Sequence, residues 1–120
     1  MNNVTIISGE QGSGKTTVAH TLCEGKKAVW FNGFERNMFK NLETDTDIMV
    51  IDNLHTIKDL KYLKELINTK NITFRKAYSG VFNKIKRPQV IAISQLFNSN
   101  ILAGVGLSKG INFVTVKKPF

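Results

Sequence analysis

Val4-Thr5-Ile6-Ile7-Ser8-Gly9-Glu10-Gln11-Gly12-Ser13-Gly14-Lys15-Thr16-Thr17 is the stretch on which the reading of this chain turns. Val4, Ile6 and Ile7 form a short apolar run, ended by Ser8-Gly9, that reads as a buried strand entering a loop. From Lys15 to about Glu24, Val18, Ala19 and Leu22 recur at helical spacing, and Gly25 is a natural stop. Between the two, Gly9 to Thr16 fits G-x-x-x-x-G-K-[ST] in full, in the context that gives the pattern meaning: after a strand and before a helix. The glycines let the backbone curl until successive amide hydrogens point inward at an anion, and the helix N-terminus adds the positive end of its dipole. A phosphate chain is the natural occupant. Gly9, Glu10, Gln11, Gly12, Ser13, Gly14, Lys15 and Thr16 are the expected contacts, with Thr17 a weaker one. Lys15 reaches the β- and γ-phosphates and the Thr16 hydroxyl holds Mg²⁺.

Working outward, Ala28 to Phe31 is a second short strand closed by the turn signal Asn32-Gly33. Ile48-Met49-Val50-Ile51 is apolar throughout, the pattern of a strand covered on both faces in a parallel sheet. Asp52 ends that run, where a nucleotide-binding domain of this kind places its magnesium-holding carboxylate. Ile57, Leu60, Leu63, Leu66 and Ile67 repeat at helical spacing, with Lys58, Lys61 and Lys64 on the other sides. Ile72 to Phe74 is strand-like, and Val90 to Ile93 is another apolar strand, introduced by Pro88 and ended by Ser94-Gln95. Residues 98–110, with glycines at 104, 106 and 110, show no clear pattern, and Ile111 to Val116 is a last strand. Strands alternating with helices and apolar on both faces imply an α/β fold, a three-layer sandwich around a mostly parallel sheet of about five strands.

The chain has 120 residues, the size of one domain, and its 42% hydrophobic and 22% charged residues argue against a disordered tail, a collagen-like fibre or a coiled coil. Cys23 is the single cysteine, so no disulfide closes within the chain; together with the absence of a secretory signal or long apolar run, this predicts a cytoplasmic protein. His20 and His55 with Cys23 make no zinc set. The informative number is the net charge of +8. Residues 1–55 carry 5 basic and 7 acidic side chains, residues 56–87 carry 9 and 2, and residues 88–120 add 3 lysines and no acid. The basic character is therefore local, and it points to a polyanionic partner. Lys26 and Lys27, after Gly25, are expected to face the end of the first helix.

Together these residues resemble the ATPase domain of superfamily 3 helicases, found in replication initiators of small DNA viruses and in mobile-element Rep proteins. The likeness covers residues 4 to about 97. Trp30-Phe31-Asn32-Gly33-Phe34 looks like the aromatic-glycine segment that precedes the Walker B aspartate, here Asp52, in circular Rep proteins. Phe74-Arg75-Lys76, the basic segment after it, and the strand ending in Ser94-Gln95 are similar to the family's DNA-contacting hairpin and sensor strand. The resemblance implies sheet order 5-1-4-3-2, ATP with Mg²⁺ as the bound nucleotide, and a catalytic set of Lys15, Asp52, Asn53 and Gln95, with Gln95 sensing the γ-phosphate. It also implies single-stranded DNA as partner, with Arg75, Lys76, Lys84, Lys86 and Arg87 tracking phosphates and Tyr78 and Phe82 stacking on bases. Ring assembly from copies of the chain, or separate replication subunits, follows from the same likeness.

Two positions depart from the family. Asn53 stands where a second carboxylate is usual, and an amide can orient water but cannot accept its proton. No arginine follows Arg87, and an arginine finger is typically worth about 10³ to 10⁵ in rate. These departures keep open a nucleotide-binding module that hydrolyses little and gates DNA binding or assembly. A small P-loop kinase is a third reading, poorly served by the three arginines present, Arg36, Arg75 and Arg87.

Overall fold

The computed structural model describes residues 4–10, 12–34, 38–75, 82–97, 99–104, 106 and 111–117, with side chains left aside at 74, 75, 82, 83, 99 and 100. Along the chain run β1 (Val4–Gly9), α1 (Lys15–Leu22), β2 (Ala28–Asn32), a 3₁₀ turn (Met38–Asn41), β3 (Ile48–Leu54), α2 (Ile57–Ile67), β4 (Asn71–Arg75), β5 (Phe82–Lys86), β6 (Gln89–Ser94), α3 (Ser99–Gly104) and β7 (Ile111–Val116). Five of the strands form one parallel sheet in the order β2-β3-β6-β1-β7. Counted among themselves along the chain, they read 5-1-4-3-2 from the β7 edge, the expected order. The remaining two, β4 and β5, pair antiparallel as a separate hairpin.

Period-2 alternation divides the sheet's side chains between two cores. Ile7, Ile48, Val50, Ile91 and Ile93 pack on one face with Ala19 of α1. Val4, Ile6, Met49, Ile51, Val90 and Ala92 point to the other, where they meet Leu60, Leu63, Leu66 and Ile67 of α2 and Leu102 of α3. This gives the three layers, with α1 the single helix on its side of the sheet among the described residues. Each fully buried aliphatic side chain contributes about 1.5–3 kcal/mol. Ile57 does not join the stripe expected of it. It is the first helical residue and 88% exposed, because the face of α2 reaches the sheet only from Leu60 onward.

The helix start before it is well defined. The Thr56 hydroxyl accepts from the Asp59 amide at 3.0 Å, and the Asp59 carboxylate accepts from the Thr56 amide at 3.1 Å, a reciprocal capping box. Residues 98–110, unread in the sequence, contain α3. Lys27 does not face the end of α1. Its ammonium lies between Glu43 and Asp45, while its amide donates to Asp47 Oδ2 at 2.9 Å, so the turn into β2 is fastened to the chain entering β3. No helix among the described residues is long and apolar enough to cross a membrane.

In the hairpin, Asn71 pairs with Lys86, Ile72 with Ile85 and Thr73 with Lys84. Ile72 and Ile85 are buried in the α2-side core, so the hairpin is anchored by its inner face while Asn71, Thr73, Lys84 and Lys86 lie exposed on the outer one. Arg87 closes its base. The amide donates to the Lys70 carbonyl, Nε to the Thr69 carbonyl at 2.9 Å and a terminal nitrogen to the Pro88 carbonyl at 2.9 Å. Burial lowers its pKa from the ordinary guanidinium value. Arg87, expected from the sequence to track phosphates, thus spends two of its guanidinium donors on main-chain carbonyls at the hairpin base. Lys76 and Tyr78, the other hairpin residues named there, lie outside the described residues, and Arg75 and Phe82 are described in backbone only.

Candidate functional site at the carboxyl edge of the sheet

In a parallel α/β sheet the carboxyl ends of the strands face one crevice, and ligands collect there. The glycine loop leaves β1 at that edge. Gly9 pairs with Val116 in β7, and a Cβ on it would stand 2.3 Å from the Val116 carbonyl oxygen and 2.8 Å from Ser13 Oγ, so no side chain fits. Gly12 and Gly14 take φ of 80° and 95°, the left-handed region where glycine carries no penalty. They turn the chain so that the Ser13 amide closes on the Glu10 carbonyl at 3.1 Å and α1 begins at Lys15. Gly14 is the N-cap, and no side chain caps the helix, which leaves its first amides for another acceptor. Ser13 Oγ is buried and without a hydrogen-bond partner among the described residues. The Lys15 ammonium bends back to donate to the Glu10 carbonyl at 2.7 Å, spanning the loop.

Opposite the loop, β3 carries an irregularity. Ile51 pairs with Ala92 and Leu54 with Ser94, so β3 spends one residue more than β6 over the same span. Such a bulge re-aims side chains, and here it contains Asp52 and Asn53. Asn53 has φ of 61°, the one positive value among the described non-glycine residues. Asparagine tolerates this conformation better than most side chains. Asp52 Oδ1 accepts from the Asn53 amide at 2.7 Å, the Asp52 carbonyl accepts from the Gly33 amide at 2.8 Å, and His55 Nδ1 lies 2.9 Å from the Asn53 carbonyl oxygen. Ser94 fastens the end of β6 to the end of β3. Its buried hydroxyl donates to the Leu54 carbonyl at 2.6 Å and accepts from the Leu96 and Phe97 amides at 3.1 and 3.0 Å.

The result is an open cleft of about 810 Å³. Gly12, Gly14, Lys15 and Thr16 line it from the loop and α1, Asn32, Asp52 and Asn53 from β2 and β3, and Ser94 and Gln95 from the end of β6. Residues far apart in sequence, Lys15, Thr16, Asp52, Asn53 and Gln95, therefore share one space. Gly9 and Ser13 shape the loop behind it, Thr17 is exposed on α1 outside the cleft lining, and Gln11 lies outside the described residues. Sequence reading missed Asn32 as a cleft residue. The signal was a polar side chain ending a parallel strand, paired in register with Asp52. Among the described residues no three His, Cys, Asp or Glu side chains gather as a metal centre. One carboxylate with one hydroxyl nevertheless suits magnesium, which keeps several waters and binds through one or two carboxylates together with phosphates. His20 stacks on Trp30 at 4.4 Å between ring centroids, and burial raises the pKa of half-buried Cys23, partly offset by Lys26; both sit on the α1 side and outside the cleft lining.

No family model and no curated protein matches the chain. Among solved structures it is similar to one described as the A form apo structure of NrS-1 C terminal region-CTR, with a TM-score of 0.54 at 15% identity. The alignment covers 95% of this chain and 28% of that one. A likeness at this identity concerns the fold, and one fold carries many activities.

Proposed function

We propose that the chain binds Mg·ATP in this cleft and hydrolyses it, as a P-loop ATPase of superfamily 3 helicase type coupled to single-stranded DNA in the replication of a virus, phage or mobile element. The observation that carries the reading is the convergence of loop, helix start, Asp52, Asn53 and Gln95 on one cleft at the carboxyl edge of a sheet ordered 5-1-4-3-2. The left-handed glycines, the uncapped first amides of α1 and the orphaned Ser13 hydroxyl fit a phosphate chain. Thr16 and Asp52 would hold the magnesium, which when bound neutralises phosphate charge.

The chain's own residues do the rest. Lys15, held on a main-chain carbonyl of its own loop, exchanges that oxygen for phosphate oxygens and stabilises the charge that builds there. Gln95, exposed at the end of β6, donates from its amide to the γ-phosphate. Asn53 orients the attacking water. It takes no proton from it, so turnover is slow unless a partner, either another copy in a ring or a separate replication subunit, supplies the missing groups. The weakly hydrolysing module keeps its support as a second reading because Asn53, which lines the cleft beside Asp52, carries no carboxylate.

ATP turnover measured with and without single-stranded DNA tests the proposal. Phosphate release that rises with DNA is the expected result. Tight ATP binding with no release under either condition selects the gating module instead, and transfer of phosphate to a nucleoside or nucleotide would replace both with a kinase.

A further inference from the structure

A second concavity, of about 850 Å³, shares no lining residue with the nucleotide cleft. It lies between α2, β4 and the 3₁₀ turn. Phe34, Phe39 and Tyr62 bring three aromatic rings to it, and Tyr62 is still 37% exposed although Phe34 stands tilted against it at 5.6 Å between centroids. Lys58 places its ammonium 5.7 Å from the centre of the Tyr62 ring. Asn71 and Thr73 form the wall on the hairpin side, and their cross-strand partners on the same outer face are Lys86 and Lys84. The lining also holds two carboxylates. Asp59 is bound to the start of α2 through the His55 and Thr56 amides, and Glu65 lies one turn along the helix from Tyr62.

Aromatic rings in a groove bordered by lysines are how sequence-tolerant sites hold single strands: bases stack on the rings while phosphates follow the cations. Lys58 is the one cation among the described lining residues, against Asp59 and Glu65, and the further cations are Lys84 and Lys86, exposed on the adjoining hairpin face. Duplex DNA presents no free base faces to such a groove, whereas an unpaired base can enter it. We propose that this groove is a base-stacking site for single-stranded DNA, with Tyr62 as the stacking platform and Lys58, Lys84 and Lys86 on the phosphates. The inference rests on the single-stranded DNA partner proposed above and adds where the bases sit. It also places the strand near the nucleotide, because Phe34 follows Gly33, whose amide is bonded to the Asp52 carbonyl.

The test titrates a fluorescent oligothymidylate against the full chain, its Tyr62→Leu and Tyr62→Phe variants, and a matched abasic oligomer. Tyr62→Leu should bind about tenfold more weakly, Tyr62→Phe should match the parent, and the abasic oligomer should bind the parent and Tyr62→Leu alike. In a parallel experiment on the unaltered protein, an oligonucleotide carrying 5-iodouracil should cross-link on irradiation to peptides containing Phe34, Phe39 or Tyr62. Parent-like affinity of Tyr62→Leu, or cross-links confined to other peptides, overturns the groove assignment while leaving DNA binding in place. Absence of any binding of the oligothymidylate by the parent overturns the DNA partner itself, and the groove assignment with it.

Discussion

Asn53 stands at the junction of backbone geometry and chemistry. Read as sequence, it stands where the helicase resemblance implies a second carboxylate after Asp52. In the structure it is also the residue that holds φ of 61° inside a bulge, with its carbonyl oxygen beside His55 Nδ1. A long acidic side chain would have to adopt that conformation, whereas aspartate tolerates it nearly as well as asparagine. Asn53→Asp should therefore keep the fold and return a proton acceptor to the cleft. Positioned general bases typically contribute about 10² to 10⁴ in rate, so phosphate release in a steady-state assay should rise by about 100-fold. An unchanged rate would mean that the missing carboxylate is not what limits hydrolysis. Lys15 and Thr16 were legible as cleft residues because a short contiguous motif fixes them. The positive φ was not legible, because it arises from pairing with β6, forty residues further along the chain.

Among the elements, the strands were legible wherever an uninterrupted apolar run met a turn signal, as at Ile48–Ile51 and Val90–Ile93. Ties made by single polar groups across the fold were not. Ser94 reads as one half of a sensor pair, yet its hydroxyl is consumed in joining β6 to β3, and Arg87 reads as a DNA contact but clasps the hairpin base. Helix α2 offers a direct check on the element scale. Burial acts to raise the Asp59 pKa, but hydrogen bonds from the His55 and Thr56 amides and from the Thr56 side chain outweigh it, holding the carboxyl below its ordinary value of 3.8. A carboxyl depressed in the folded state stabilises above its unfolded pKa and ceases to do so as pH falls through the folded one. Chemical denaturation should therefore show the cap's contribution intact at neutral pH and lost below about pH 4. Thr56→Ala should cost about 1 kcal/mol at pH 7 and less in acid. A cost that does not change with pH would show that the Thr56 side chain does not act through the Asp59 carboxylate.

For the whole molecule, the charge of +8 resolves into −2 over residues 1–55, +7 over residues 56–87, which include α2 and the hairpin strands, and +3 over residues 88–120. Within the middle segment Lys84 and Lys86 are exposed, in register on one side of the hairpin. Each phosphate contact with a single strand adds about 0.7 to the slope of log affinity against log salt. Replacing both lysines with glutamine should flatten that slope by about 0.7 per lysine, and DNA binding with an unaltered slope would remove the hairpin from the interface. The three-layer arrangement was legible from strand–helix alternation, but the separate groove beside α2 was not, because its walls come from Phe34, Tyr62 and Thr73, which no local pattern connects. The central claim, that the cleft beside the glycine loop holds Mg·ATP, is most directly tested by calorimetric titration of Mg·ATP into the unaltered chain and into Lys15→Ala. Saturable binding at one site per chain, weakened at least about tenfold by the substitution, is the predicted result, as expected for loss of a charge-assisted contact. Equal affinity in the two proteins, or no binding by the unaltered chain, would contradict it.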